Sequence, residues 1–172
     1  MNYKLLIATL ILITSFTAEA ANPAKKIFNT ISKLAGEWKG TYSNGNQHRV
    51  SYQLISNGTV LVETWTMSPT RVSMTIYSVD GDRLIATHYC PQGNQPRLTF
   101  MEKTSDNRLQ FRFLDGTNLQ DPNGSHQHAF WLSIESPESF TRSETYISNV
   151  KTTLLNVEEG EPVTYFRTAL AK

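Results

Sequence analysis

His88-Tyr89-Cys90-Pro91-Gln92-Gly93-Asn94-Gln95-Pro96-Arg97 is a polar connection held between two prolines. It carries the single cysteine of the chain and one of its four histidines. The flanking segments, 83–90 and 97–103, hold β-branched and aromatic residues, so the connection joins two strands. The same punctuation recurs on both sides: Asn44-Gly45, Asn57-Gly58, Ser68-Pro69, Asp80-Gly81, Ser105-Asp106-Asn107, Asp115-Gly116, Asn123-Gly124 and Ser136-Pro137. Asn-Gly and Asp-Gly supply the positive φ that tight hairpins need. Between these turns the pattern predicts strands near 37–43, 48–56, 59–67, 71–79, 83–90, 97–103, 108–114, 126–135, 139–148 and 162–170. Segment 149–161 reads either as a long loop or, over 151–157, as a further strand. About ten short strands with hairpin spacing imply an all-β, antiparallel up-and-down barrel or a sandwich. Closure is expected because it removes exposed edges.

Ahead of the strands the period is helical. Asn22-Pro23 matches an N-cap followed by proline in the first turn. Ile27, Phe28, Ile31, Leu34 and Ala35 then fall on one face, and Gly36 stops the segment. A short amphipathic helix over 23–35, packed on the core and closing one barrel end, follows. Further upstream, Lys4 precedes an apolar run from Leu5 to Phe16, and Ala18-Glu19-Ala20 offers small residues where a signal peptidase reads. Residues 1–20 are therefore read as a signal peptide cut after Ala20, with 21–172 as one domain. The run is shorter than the ~20 residues of a spanning helix. With no cysteine near the cut, lipid attachment there is not expected.

Sixteen basic and fifteen acidic residues give a formal charge of +1. That balance argues against nucleic acid as a partner. Cys90 alone cannot form an internal disulfide, so in an oxidising compartment its thiol needs burial, an intermolecular partner or a metal. Outward charges such as Arg49, Lys103 and Arg112 interrupt any lipid-facing band, so the barrel is not expected to be membrane-embedded. Nothing in the chain specifies an oligomeric state.

Gly36-Glu37-Trp38-Lys39-Gly40, directly after a short helix, resembles the opening of the calycin superfamily (lipocalins, fatty-acid-binding proteins and nitrobindin-like domains). The resemblance implies that Trp38 sits at the closed end of a barrel under a basic residue of the last strand, here Arg167. The 88–97 stretch also looks like a segment of uncharacterised exported bacterial calycin-like proteins. Nitrobindin-like domains carry a haem-ligating histidine near the C-terminus. No histidine follows His128 here, so haem is not expected.

Strand parity leads to the same pairing. If odd strands run up and even strands run down, Trp38 and Arg167 meet at the bottom, whereas His48, His88, Cys90, His126 and His128 gather at the open rim. Residues two apart share a strand face. His126 and His128 thus join Phe130, Leu132 and Ile134 on the inner face, and His88 and Cys90 join Leu84 and Ala86.

Two chemistries follow. Three imidazoles and one thiol, from His88, Cys90, His126 and His128, suit Zn or Cu. The plainer reading makes the histidines rim or core residues bonded to Asn94, Gln95 or backbone, and Cys90 a small buried hydrophobe. Arg97 could clamp a ligand carboxylate at the mouth, while Asn94 and Gln95 are expected to close their own loop. Glu63 and Glu144 are either buried carboxylates or, as the plainer reading, residues of a solvated face or partners of Arg71 or Arg142. No nucleophile elbow, zinc-protease helix or phosphate loop is present, so binding is expected rather than turnover.

The function expected from the sequence is that of an exported, soluble, periplasmic or secreted barrel holding a small, mainly apolar molecule. Phe100, Phe111, Phe113, Phe130 and Leu132 would line its interior, with His88, His126, His128 and Arg97 at the mouth. The alternatives are the metal-binding protein or metal-dependent enzyme above, and an interaction module using loops 91–96 and 115–125. The aromatic set could also simply fill the barrel.

Overall fold

A computed structural model describes residues 22–119, 124–149 and 155–168; the expected signal peptide lies outside them. Helix α1 (Pro23–Ile31) runs on into a 3-10 turn (Ser32–Leu34). Then come β1 (Gly36–Thr41), β2 (Gln47–Ile55), β3 (Val60–Ser68), β4 (Arg71–Asp80), β5 (Arg83–Tyr89), β6 (Gln95–Lys103), β7 (Leu109–Thr117), β8 (His126–Ser136), β9 (Ser139–Asn149), β10 (Leu155–Glu159) and β11 (Val163–Arg167). Strands pair antiparallel in the order β9-β11-β1-β2-β3-β4-β5-β6-β7-β8, and β8 pairs back onto β9. The result is a closed ten-stranded barrel, as the turn spacing and alternation predict.

The helix begins where sequence logic places it. Asn22 Oδ1 accepts from Lys25 N at 3.1 Å, and its Nδ2 donates 2.7 Å to Gly81 O in the β4–β5 turn. The cap therefore also pins the helix to one end of the barrel. Ala24, Phe28, Ile31 and Leu34 are buried there, and each of the larger three contributes roughly 1.5–3 kcal/mol by leaving water. Trp38 lies above them, 1% exposed, and its indole donates 2.7 Å to Leu34 O. Arg167, opposite Trp38 in the β1–β11 register, holds its guanidinium 4.2 Å over the indole. The same guanidinium donates to the carbonyls of Pro137, Ala35 and Lys33. Gly36 has no room for a side chain, because the Arg167 guanidinium occupies the space a Cβ would need. Parity and the family resemblance both foresee this Trp38–Arg167 pair.

One open alternative in the strands is settled, and two features depart from simple pairing. The segment 149–161 does contain a strand, β10, which pairs only with β9. Along β9, Glu159 faces Thr145 and Val163 faces Arg142, so β10 and β11 act as one strand carrying one extra residue at 160–162. Gly160 N bonds Glu144 O at 2.7 Å, and a Cβ on Gly160 would crowd that oxygen at 3.2 Å. The second departure is a shift of the β8–β9 register between Gln127 and Ala129. It gives His128 no direct partner on β9 and buries Gln127 as well as His126.

Candidate functional site

Charged residues occupy the inner face of the barrel. Tyr52, Glu63, Thr75 and His88 lie side by side across β2 to β5, and all four are buried. The Glu63 carboxylate accepts from the Trp65 indole, from the Tyr77 hydroxyl and, at 2.8 Å, from Arg142 Nη1. Arg142 comes from β9, 79 residues later, with a side chain 1% exposed. Its Nε donates 3.2 Å to Glu144 Oε1, and Tyr146 donates 3.2 Å to Glu144 Oε2. The guanidinium also lies 4.2 Å from the Phe130 ring and 5.2 Å from Trp65. Burial alone would lower the Arg142 pKa, but the charge of Glu63, with Tyr77 and Glu144 behind it, holds it well above the ordinary value. Tyr77 and Tyr52 are pushed upward by burial and then by Glu63, so they remain neutral phenols.

Arg142 and Glu144 of this network form one wall of a cavity of about 550 Å³. Its other walls are Tyr42, Trp65, Tyr146 and Tyr165, with Ser143, the end of β10 over 157–159 and the following residues 160–161. A smaller lobe of about 110 Å³ shares Tyr42, Trp65, Glu144 and Tyr146 and adds His48, Arg71, Ser73 and Cys90 among its lining. The space follows from strand lengths. β1 stops at Thr41 and its chain turns back through Tyr42 N to Asn46 O at 2.8 Å, whereas β9 and β10 continue past that level. The seam above β1 is unzipped, and Glu161 ties it to the turn through the Ser43 backbone and hydroxyl. Tyr165 and Tyr42 hydroxyls meet at 3.4 Å, and Trp65 packs edge-on to Tyr165 at 5.3 Å.

The predicted metal set does not assemble. His126 is fully buried. Its Nδ1 is 2.6 Å from Gly124 O and its Nε2 is 3.3 Å from His128 Nδ1. A carbonyl only accepts, so His126 carries its proton on Nδ1 and its Nε2 accepts from His128. Both nitrogens are thereby used, and Phe113 covers the ring at 4.2 Å. His88 bonds Thr75 Oγ1 at 3.1 Å. Its pKa falls to about 4, first through burial and then through the charge of Arg142. Cys90 is half-buried in the smaller lobe, its thiol pushed up by burial against a hydrogen bond from Gln92 N. Among the described residues, no group of three or more His, Cys, Asp and Glu side chains could hold a metal ion.

The residues expected as apolar lining lie apart from both lobes. Phe111 and Phe130 stack at 4.5 Å, Phe100 packs on Phe111 at 5.6 Å, and Leu132 is wholly buried. These residues and Phe113 fill the barrel beside β7 and β8 and line neither lobe. Nor do His88, His126 and His128. Arg97 points outward because Pro96 and Leu98 hold the buried positions on either side; it pairs with Asp115 at the surface. Gln95 serves its own loop, its Nε2 donating 3.1 Å to Gly93 O, whereas Asn94 Nδ2 reaches out of the loop and donates 2.7 Å to Ser125 O ahead of β8.

Glu63, Arg142 and Glu144 take the pairing alternative, not the solvated one. Tyr42, Trp65, Tyr146 and Tyr165 were missed as site residues. The available signal is Glu63-x-Trp65 and Arg142-x-Glu144-x-Tyr146, in which charges share an inner face with aromatic rings. Compared with known proteins, the chain matches no protein-family model, and no curated protein matches it.

Proposed function

We propose that the protein is an exported, calycin-like barrel that binds a small organic molecule in the cavity at its open end. The observation that carries this is the cavity itself, about 550 Å³ with four aromatic walls and a salt-bridged polar wall. Pockets of a few hundred Å³ with few, well-held polar groups are the usual form of a small-molecule site. The helix-closed end, with Trp38 under Arg167, supports the calycin-like reading. Export rests on the N-terminal charge, apolar run and small-residue cleavage pattern. No helix among the described residues is long and apolar enough to cross a membrane.

The test is a native mass spectrum of untagged protein recovered from the export compartment. A chain beginning at Ala21 with an organic mass excess, released on unfolding and reduced in Tyr165→Ala, is the expected result. A chain that retains residues 1–20 counts against export. A bare mass that no small-molecule library shifts counts against binding.

A further inference from the structure

We propose that the ligand is a short extended peptide, which adds itself as a strand to the free edge of β10 and sends alternate side chains into the cavity. The inference rests on the small-molecule reading above and names the ligand class. β11 is flanked by β9 and β1, but β10, its continuation along β9, has β9 alone as a strand partner among the described residues. β1 has ended before that level, at Thr41, so the lane beside β10 holds no described strand. Ladder geometry fixes which groups face the lane. Gly160 N donates to Glu144 O across the Glu159–Thr145 pair, which makes that pair a non-hydrogen-bonded one. The two kinds of pair alternate along an antiparallel ladder, so Val157, opposite Ile147, is of the same kind. The N–H and C=O of Val157 and Glu159 therefore point away from β9, into the lane. Both residues line the cavity, and Val157 is 59% exposed. The edge thus offers two donor–acceptor pairs about 6.8 Å apart, the two-residue repeat of a strand. A chain with amides at the same repeat engages both, as in β-strand addition.

The inner side of the lane opens on Tyr42, Trp65, Tyr146 and Tyr165. A strand lying in the wall turns every second side chain that way. Aromatic residues at alternate positions match those rings, since edge-on and offset ring contacts are favourable. Charge selects little, because at His48 and at Cys90 the influences of Glu144 and Arg71 oppose one another. A second copy of the chain fits poorly. Its β10 would arrive with β9 bonded to its other edge, and across the lane stand Tyr42, Met67 and Arg71, lining the smaller lobe. The occupant needs both edges free, as an isolated peptide has.

The experiment titrates Ac-Thr-Tyr-Thr-Tyr-Thr-NH2, five residues like β10, calorimetrically into the protein. Two N-methylated forms are run beside it, one methylated on the tyrosine nitrogens and the other on the threonine nitrogens. One of these sets faces β10. Methylating that set is expected to weaken binding about tenfold or more, and methylating the other to change it by no more than about twofold. Val157→Pro removes an N–H that faces the lane and none that bonds β9. It should weaken the unmethylated peptide to a similar degree and leave N-acetyltyrosinamide unchanged. If Val157→Pro fails to fold, the two methylated peptides still decide. Binding indifferent to methylation would overturn strand addition while leaving the cavity as a binding site. No binding of any peptide at millimolar concentration would overturn strand addition as well, and the native mass spectrum decides separately whether the cavity is a site. A dimer that Val157→Pro dissociates would overturn the peptide assignment in favour of a second copy.

Discussion

His88 makes stability depend on pH in a calculable way. The ring is 2% exposed, its Nδ1 is held by Thr75, and its Nε2 has no partner. Protonation would add a second donor with no acceptor and a charge facing Arg142, which outweighs the pull of Glu63. The folded pKa of about 4 lies below the ordinary 6.5. Between those values the unfolded chain takes up a proton that the folded one refuses. The stability is thus complete above the unfolded pKa and is lost as pH falls towards 4. The full gap amounts to ~3 kcal/mol, and ~2 kcal/mol of it is gone by about pH 5, before most carboxylates titrate. Urea unfolding of wild type and His88→Gln, followed by tryptophan fluorescence at about pH 8 and about pH 5, isolates this contribution. His48 and His128, also depressed by burial, cancel in the difference between the two proteins. Wild type should lose ~2 kcal/mol more than the variant on acidification. Parallel losses in both proteins would refute the reasoning, as would an NMR titration of His88 near its ordinary value.

Three further outcomes are expected. Arg142→Met should destabilise the fold by about 3–5 kcal/mol by leaving Glu63 buried without its cation, and Glu63→Gln on top of it should restore a large part; additive losses in urea unfolding would contradict the pairing. Arg167→Ala should cost about 2–4 kcal/mol through three orphaned carbonyls and a lost cation–π contact, with Arg167→Lys no real rescue because an ammonium cannot fork to three acceptors; a lysine variant as stable as wild type would argue against that geometry. Cys90, its thiol raised by burial, should react with a disulfide reagent more slowly than a free thiol, and more slowly still with a molecule bound in the cavity, whereas labelling indifferent to ligand would detach the smaller lobe from the binding space.

The barrel was legible because its rules are local. Turn dipeptides such as Asn44-Gly45 and Asp80-Gly81 mark reversals, and alternation such as Leu61, Glu63, Trp65 marks the faces. Counting reversals then sufficed to bring Trp38 and Arg167 together. The site was not legible for three physical reasons. Hydropathy leaves Glu63 open between a buried, a solvated and a paired role, and only a closed barrel, which sets strands 79 residues apart across one interior, selects the buried pair with Arg142. The β8 register shift at Gln127–Ala129 breaks the phase that links His126 to Phe130, so both His126 and Gln127 end up buried. The cavity, lastly, depends on β1 ending before β9 and β10 do, a difference in strand length that composition does not encode. Arg97, by contrast, belongs outside by alternation alone, since Phe100, assigned to the interior, lies three positions away on the opposite face.

A buried Glu63–Arg142 pair is poor value as a stabiliser, because apolar residues of similar volume commonly hold a core as well or better. Its usefulness lies in what it holds. Glu63, Tyr77, Trp65 and Phe130 fix the guanidinium, and the guanidinium with Tyr146 fixes the Glu144 carboxylate. A bound molecule therefore meets a polar wall already oriented, and little ordering entropy remains to be lost on binding. Glu63 itself lines neither lobe, which allows the idea to be separated from direct contact. Glu63→Gln should weaken severalfold the molecule that native mass spectrometry finds in the cavity, with a more unfavourable binding entropy. An affinity untouched by Glu63→Gln in a folded protein would show that the cavity wall needs no such support, and the buried pair would then have to be explained by the fold alone.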